Sequence, residues 1–262
     1  MRQLSKMIAI GMLLAPALVA CSKKEKELAP QASALASAEP VTEVSRKFVL
    51  DSSKSGVTFT MDAELEKISG RAPASATGEL FVDLGNIEKS SGLIKVDLDK
   101  LSIYKRNRDD ADGEYGEEQK NEKQNRDMRM WFQISEDAPK EEREKFRWVE
   151  FNVTKISAAS AKDITALAGA TRKVTAKVTG DFLLHGRKTT KTIDAELTFE
   201  FTEDSPKSLQ VKSTKPFEVG LEEHDVHPRR AFDQLADATL ETLGAKVAKV
   251  AKVEIDATAT AK

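Results

Sequence analysis

The sequence has few of the cysteine and histidine residues from which disulfides and many metal sites are built. It has one cysteine and three histidines in 262 residues, and a lone cysteine, Cys21, cannot form an internal disulfide. It also lacks an excess of positive charge. The formal net charge is −2, and it is −4 outside residues 1–20, which hold two basic side chains and no acidic one. This balance argues against a nucleic-acid partner and against a polybasic membrane patch.

Long apolar runs are also scarce, and the one clear run lies at the start of the chain. It extends from about Met7 to Leu18, which is too short to span a bilayer, and Leu18-Val19-Ala20-Cys21 ends it. This is the layout of a secretory signal peptide, and its ending resembles a bacterial lipobox, in which the cysteine is acylated and becomes the new N-terminus. We predict that residues 1–20 are a signal peptide and that lipidated Cys21 holds the chain on a membrane.

The next segment, residues 21–46, is rich first in Lys and Glu and then in Ala, Ser and Pro. It has no apolar period, so it is expected to be a lipidated flexible tether. The absence of an acidic residue directly after Cys21 favours the outer membrane, with the protein facing the periplasm. Residues 47–260 are long enough for one core, and their charged composition is that of a single water-soluble domain.

Within this domain, apolar residues alternate with polar ones at a period of two. Such alternation is typical of half-buried strands. The stripes lie at 48–50, 57–61, 80–84, 94–98, 149–153, 174–184, 193–201, 209–211, 217–219 and 253–257. The pattern predicts an all-β fold of about eight or nine strands, several of them long enough to close into an antiparallel barrel.

A few segments interrupt the alternation. His185-Gly186 separates two long stripes and predicts an antiparallel hairpin, because glycine takes positive φ without steric cost. Lys105–Lys120 is charged and is expected to be a solvated loop. Helical spacing of apolar residues between Arg229 and Leu243 predicts one short helix over a barrel end, and Pro139 could open a single helical turn.

Four segments follow one another in an order typical of a known family. The hairpin run Thr179–Gly186 with Lys188–Lys191 resembles a "G-x-L-x-(I/L)-H-G-x-T-K" motif. Phe48–Phe59, Asn125–Phe132 and Phe146–Phe151 are similar to its opening, its "R-D-x-x-L…F-F" segment and its "F-P-x-(I/A)-x-F" segment. Together these segments resemble the YceI-like, polyisoprenoid-binding family from about Phe48 to Ala259. Lys54 and Arg147 depart from it, where the family has histidine and proline, and the acidic stretch looks like an insertion.

The resemblance implies an extended antiparallel barrel, similar to lipocalins, whose apolar interior holds an isoprenoid or other long-chain lipid and needs no further cofactor. Eight residues lie on the apolar side of their strands and are expected to face one shared interior and bind this ligand. They are Phe59, Val82, Val96, Phe151, Phe182, Leu197, Phe199 and Val211.

Two arrangements suggest metal binding at first sight. His224 and His227, with Glu222 and Glu223 beside them, have residue types that ligate zinc, but a loop site needs a further ligand from elsewhere. A solvated polar loop explains the same residues. The acidic run before Gly113 lacks the carboxylates that an EF-hand needs at its first and twelfth positions. We therefore predict no metal, and His185 is expected to hydrogen-bond backbone.

No catalytic motif is found: the sequence has no phosphate-binding glycine loop and no Gly-x-Ser-x-Gly elbow, and Cys21 is assigned to the anchor. The main prediction is therefore a lipid-binding module, not an enzyme. An alternative remains open at this point, in which side chains fill the barrel and its charged loops bind an envelope partner. An enzyme or metal protein centred on His224 and His227 ranks third.

Overall fold

The computed structural model describes residues 27–63, 65–110, 112–228 and 248–262. The predicted signal peptide, Cys21 and the whole of the helix predicted between Arg229 and Leu243 lie outside these residues. Within the described ranges the chain forms thirteen strands and two α-helices. The strands are β1 (Arg46–Leu50), β2 (Gly56–Asp62), β3 (Glu66–Ala72), β4 (Ala76–Val82), β5 (Ser91–Asp97), β6 (Ser102–Asn107), β7 (Gln119–Lys120), β8 (Trp148–Ser157), β9 (Thr171–Leu184), β10 (Arg187–Thr202), β11 (Ser205–Ser213), β12 (Phe217–Gly220) and β13 (Val250–Ala261), and the helices are α1 (Glu122–Trp131) and α2 (Lys140–Phe146).

Eight strands close into an antiparallel barrel, in the order β1, β4, β5, β8, β9, β10, β11 and β13. The ring is completed where β13 returns to β1, with Phe48 opposite Ala261 and Leu50 opposite Ala259. The predicted all-β, lipocalin-like barrel of about eight strands with short helices is therefore confirmed. No helix of the described part of the chain is long and apolar enough to cross a bilayer.

The two ends of the barrel differ because β13 has different partners along its length. Its C-terminal half pairs with β1 and β11, whereas its N-terminal half pairs with β2 and β12. From β2 the sheet continues outward through β3, β6 and β7. We call the end that contains the β2–β3 turn (62–65), the β9–β10 turn (185–186), residues 221–228 and α1 the wide end. The opposite end, with the β10–β11 turn (202–205), is the narrow end.

The predicted hairpin is confirmed, and its turn is the dipeptide His185-Gly186. Both residues have positive φ, 49° and 68°, which is the backbone of a two-residue type I′ turn. The strands on either side pair continuously from Arg187 opposite Leu184 to Glu200 opposite Thr171. This long hairpin spans the barrel from its wide to its narrow end.

Helix α1 has no counterpart among the sequence predictions. Asn121 caps it by accepting a hydrogen bond from the backbone N–H of Gln124. One turn later, the side chain of Asn125 accepts from the N–H of Ile103 at 2.8 Å and donates to its carbonyl at 3.0 Å, which fixes the helix on β6. The helix is hard to recognise because most of its ten residues are polar and only two are buried, so tertiary contacts and not an apolar stripe hold it in place.

Other segments differ in extent from their sequence predictions. The helical turn expected after Pro139 is a helix of seven residues, α2. The predicted solvated loop 105–120 begins and ends in strands β6 and β7, and only the stretch between them is irregular. The described part of the predicted tether lies along the outside of the barrel. We call its residues 28–42 the strap.

Candidate functional site

A cavity of about 560 Å³ occupies the wide half of the barrel. Its walls come from β2, β3, β5, β6, β8, β9, β10, β12 and β13, with α1 across one side, and apolar side chains form most of the lining. The volume falls within the range of roughly 300–1,000 Å³ that is usual for small-molecule sites. The wide half of this barrel is therefore hollow enough to hold a ligand.

The cavity persists because two large rings lie against the wall. Phe59 sits directly opposite Gly70 in the β2–β3 pair, and a Cβ at Gly70 would overlap the Phe59 ring. Phe151 lies in the same way against Gly180. A glycine beneath each ring lets it lie flat along the neighbouring strand, so the middle of the barrel stays open.

The narrow half is filled instead. Phe48 and Phe199 are fully buried and meet edge to face, with ring centroids 6.3 Å apart. Below them the guanidinium of Arg172 lies 3.9 Å from the centroid of Phe201 and donates to the carbonyl oxygens of Ile164 and Gly169. A space of only about 60 Å³ remains here. This end is closed by packed side chains, so within the described residues the cavity opens towards the wide end.

The eight residues predicted to face the interior divide between the two halves. Phe59, Val96, Phe151 and Phe182 line the large cavity. Val82, Leu197, Phe199 and Val211 surround the small space at the narrow end, which Phe151 also borders. Period-two alternation assigns all of them to one face, but it carries no information on position along the barrel axis.

Helix α1 contributes to the site, although it was not predicted from the sequence. Met128 and Trp131 both line the cavity, and Met128 is buried. The sequence does contain a pattern that indicates this helix. Asn121, Asn125, Met128 and Phe132 follow the spacing of a capped helix with one inward face. Gly70 was missed as well, because its role depends on a residue on another strand.

Polar groups gather where the cavity opens at the wide end. The side-chain amide of Gln124 donates to Glu66 at 3.3 Å, and Lys105 approaches the other oxygen of that carboxylate at 3.3 Å. The exposed Lys123 pairs with Asp127 at 3.2 Å. The charges at this rim neutralise one another, so the opening suits the polar head of an amphiphile better than a multiply charged ligand.

The histidines at the wide end have structural surroundings. His224 is completely buried: its Nδ1–H donates to the carbonyl of Arg187 at 3.1 Å, and Nε2 accepts from the hydroxyl of Thr189 at 3.3 Å. The expectation of a solvated loop is therefore wrong for His224, because the loop folds back onto β10. Burial lowers the pKa of His224, so the neutral ring predominates at pH 7. His227 is exposed and pairs with Asp225 at 3.0 Å.

His185 also forms structural contacts. As expected, it hydrogen-bonds backbone: its Nδ1 donates to the carbonyl of His224 at 3.2 Å. Its Nε2 lies 2.9 Å from the side-chain oxygen of Gln133, and its ring stacks at 4.1 Å on Phe146. Across the described ranges, no three His, Cys, Asp or Glu residues are grouped as metal ligands would be.

Comparison with known proteins gives one family, and solved structures also match the chain. A family model described as YceI-like domain matches residues 48–259. A polyisoprenoid binding domain from Saccharophagus degradans, implicated in plant cell wall breakdown, is similar with a TM-score of 0.48 and 15% identity, covering 82% of this chain and 98% of that one. BcnA from Burkholderia cenocepacia is similar with a TM-score of 0.47 and 12% identity, covering 80% of this chain and 99% of its own. No curated protein matches the chain.

Proposed function

Because the chain belongs to the YceI-like family, we propose that it binds an amphiphilic lipid with a long apolar chain, such as a polyisoprenoid, inside its barrel. The observation that carries this proposal is the cavity of about 560 Å³ in the wide half, with its mainly apolar lining. The bound chain would lie among Phe59, Val96, Phe151 and Phe182, and the polar head would lie at the rim near Glu66 and Gln124. No further cofactor is required.

The energetics of such a site favour a long apolar chain over a polar ligand. Burying a methylene group contributes about 0.8 kcal/mol, so ten buried carbons would supply up to about 8 kcal/mol before the costs of association. A polar ligand would lose its hydrogen bonds to water against walls that offer few partners. The function proposed is therefore binding and carriage of the lipid and not its chemical conversion.

The proposal places this barrel at a membrane. Cys21, at the end of the lipobox, would carry the acyl chains, and the domain would face the periplasm, with attachment to the outer membrane. A single acyl chain holds a membrane only marginally, whereas a cysteine with several chains anchors stably. The anchored protein would thus stay close to the bilayer in which a polyisoprenoid resides.

The alternative function, an interaction protein with a packed barrel, requires side chains to fill the wide half. The cavity argues against it, because only the narrow half is packed in that way.

Two experiments test the proposal. Protein purified gently from membranes should carry a lipid adduct in a native mass spectrum, and emptied protein should bind a fluorescent polyprenyl analogue in detergent. Emptied protein that takes up no analogue, together with a native spectrum free of lipid, would overturn the lipid-binding function.

For the anchor, Cys21→Ser should release the protein into the periplasmic fraction or leave it unprocessed. Normal processing of this variant with retention in the membrane would contradict lipidation.

A further inference from the structure

Along the strap, burial against the barrel wall repeats every three residues. Ala29 is buried, Ala32, Leu35 and Ala38 are half-buried, and the residues between them are exposed. Three residues per turn is the period of an extended, polyproline-type chain, which presents every third side chain to the same surface. The segment is thus docked on the barrel through one face.

Backbone hydrogen bonds hold the first part of the strap at the wide end. The N–H of Ala29 donates to the carbonyl of Glu223 at 2.9 Å, and the N–H of Ala32 donates to Gly186 at 2.9 Å. In return the N–H of Lys188 donates to the carbonyl of Pro30 at 2.8 Å. The strap therefore begins beside the β9–β10 turn, at the same end as the opening of the cavity.

A buried carboxylate fixes the middle of the strap. Glu150 faces outward from β8, yet its side chain is only 5% exposed because the strap covers it. One carboxylate oxygen accepts the N–H of Leu35 at 2.7 Å, and the other accepts the ammonium group of Lys95 at 2.7 Å. Hydrogen bonds to an ionised group are among the stronger ones in proteins, so this contact resists detachment of the strap.

The docked strap limits the distance between the anchor and the barrel. Seven residues lie between Cys21 and Ala29, the first docked residue, so eight Cα–Cα steps join the two. Even fully extended, they span at most about 26–29 Å. A lipid anchor at Cys21 therefore keeps the wide end, and not the narrow end, near the bilayer.

Exposed apolar side chains occur at that same end. Among the described residues, five large hydrophobic side chains are exposed. Leu28, Leu65 and Val250 lie at the wide end, with exposures of 42%, 46% and 41%, and Val41 and Val44 lie just before β1 at the narrow end. Lysines near Val250 are paired, Lys249 with Glu222 and Lys252 with Asp62. Around Val250 the described surface thus combines an exposed apolar side chain with lysines that are paired, which suits shallow contact with lipid.

We propose that the strap seats the open, wide end of the barrel on the bilayer, with Leu28, Leu65 and Val250 touching the lipid surface. The lipid chain then passes between the bilayer and the cavity without crossing bulk water. This inference rests on the Cys21 anchor and the lipid cavity of the proposed function, and it adds the face of the protein that meets the membrane.

A labelling experiment tests the orientation. Acylation blocks the only native thiol, so one introduced cysteine can carry an environment-sensitive dye in the full-length lipoprotein. We would label Leu65→Cys at the wide end and Asp204→Cys in the β10–β11 turn, in phosphatidylethanolamine–phosphatidylglycerol vesicles that contain brominated lipid. We expect the dye at 65 to be quenched at least threefold more than the dye at 204. Equal quenching, or stronger quenching at 204, would overturn the orientation.

A second experiment tests the role of the short connection. Inserting twenty Gly/Ser residues between Lys26 and Glu27 lengthens it from eight to twenty-eight Cα–Cα steps while leaving the strap intact. Effective concentration falls roughly as the −3/2 power of linker length, so uptake of a fluorescent polyprenyl analogue from vesicles should slow about sixfold. The same insertion between Glu203 and Asp204, in the β10–β11 turn at the narrow end, is the control and should change nothing. Unchanged uptake with the longer connection would contradict the proposal.

The outcomes separate this inference from the proposed function. Suppose that the protein binds the analogue in detergent but its two labels are quenched equally. The lipid cavity would then stand, and the proposed orientation on the membrane would be rejected. Selective quenching at residue 65 by a protein that binds no analogue would remove the lipid-binding function and keep the orientation.

Discussion

Phe59 lies with its ring across Gly70, its direct partner on the adjacent strand, where no side chain other than glycine's hydrogen leaves room for it. The contact keeps a large aromatic ring on the wall of the barrel. Phe59 and Gly70 belong to the two strands of one β-hairpin, and their contact decides how much of the barrel interior stays empty.

We expect Gly70→Ala to push the Phe59 ring into the cavity. The added methyl group overlaps the ring, so the free energy of unfolding should fall by about 1–3 kcal/mol, the usual cost of overpacking. Binding of a polyprenyl analogue should weaken at the same time. Urea denaturation and a fluorescence titration measure the two effects. Phe59→Leu in the Gly70→Ala background should restore stability, because the smaller side chain can move, and failure of this rescue would count against the wall contact.

A matched pair of tryptophan substitutions distinguishes the two halves of the barrel. Val96 lines the large cavity and Val82 lies in the packed narrow half. Val96→Trp should cost less than about 1 kcal/mol, since the cavity takes the ring, and should abolish ligand uptake. Val82→Trp should cost about 1–3 kcal/mol and leave uptake largely intact. Melting temperatures and analogue binding, measured side by side, check both. The same stability loss in both variants would contradict a hollow wide half.

Acid should weaken the ion pair between Asp97 and Arg147. The guanidinium donates to both oxygens of the carboxylate, at 2.8 and 2.6 Å, and holds the pKa of Asp97 below its usual value of 3.8. A carboxyl group with a lowered folded-state pKa stabilises the fold above its unfolded pKa and loses this contribution as the pH falls through the folded value. Arg147→Met should cost about 1–3 kcal/mol at pH 7, and less at pH 3. Urea denaturation at both pH values tests this, and Arg147→Lys, which keeps the charge without the two-pronged contact, should lie between.

Mild acid should also reduce stability through His224. Burial lowers its folded-state pKa below the ordinary 6.5, and the nearby Glu223 carboxylate, 3.6 Å from Nε2, offsets part of this effect. Below pH 6.5 the unfolded chain takes up a proton that the folded chain binds less readily, so unfolding is favoured as the pH falls from 7 towards the folded pKa. His224→Gln should flatten this part of the stability profile and lower stability at pH 7. The exposed His227→Ala is the control, and a profile unchanged by His224→Gln would exclude this origin.

Patterns of neighbouring residues in the sequence were sufficient to predict much of the fold. The period-two stripes located the barrel strands, and a glycine able to take positive φ marked the hairpin turn at His185-Gly186. Four motifs in order identified the family over nearly the whole domain, which the match to residues 48–259 confirms. These features are readable because each depends on residues close together in the chain.

Helix α1, the burial of His224 and the docking of the strap depended on contacts between distant parts of the chain. Asn125 finds its partner in Ile103, His224 in Arg187 and Leu35 in Glu150, and none of these pairs is visible as a spacing. A polar helix and an Ala-rich strap bury too little apolar surface to show a period of their own. Tertiary hydrogen bonds stabilise them instead.

The sequence by itself determined which side of each strand faces inward, because side chains alternate strictly along an extended backbone. Only the tertiary structure decided that the narrow half is packed and the wide half is hollow. Alternation specifies the face of a strand but not its height in the barrel or the distance to the opposite wall. That distance follows from the partners of β13 and from rings such as Phe59 resting on Gly70, and these are relations between strands.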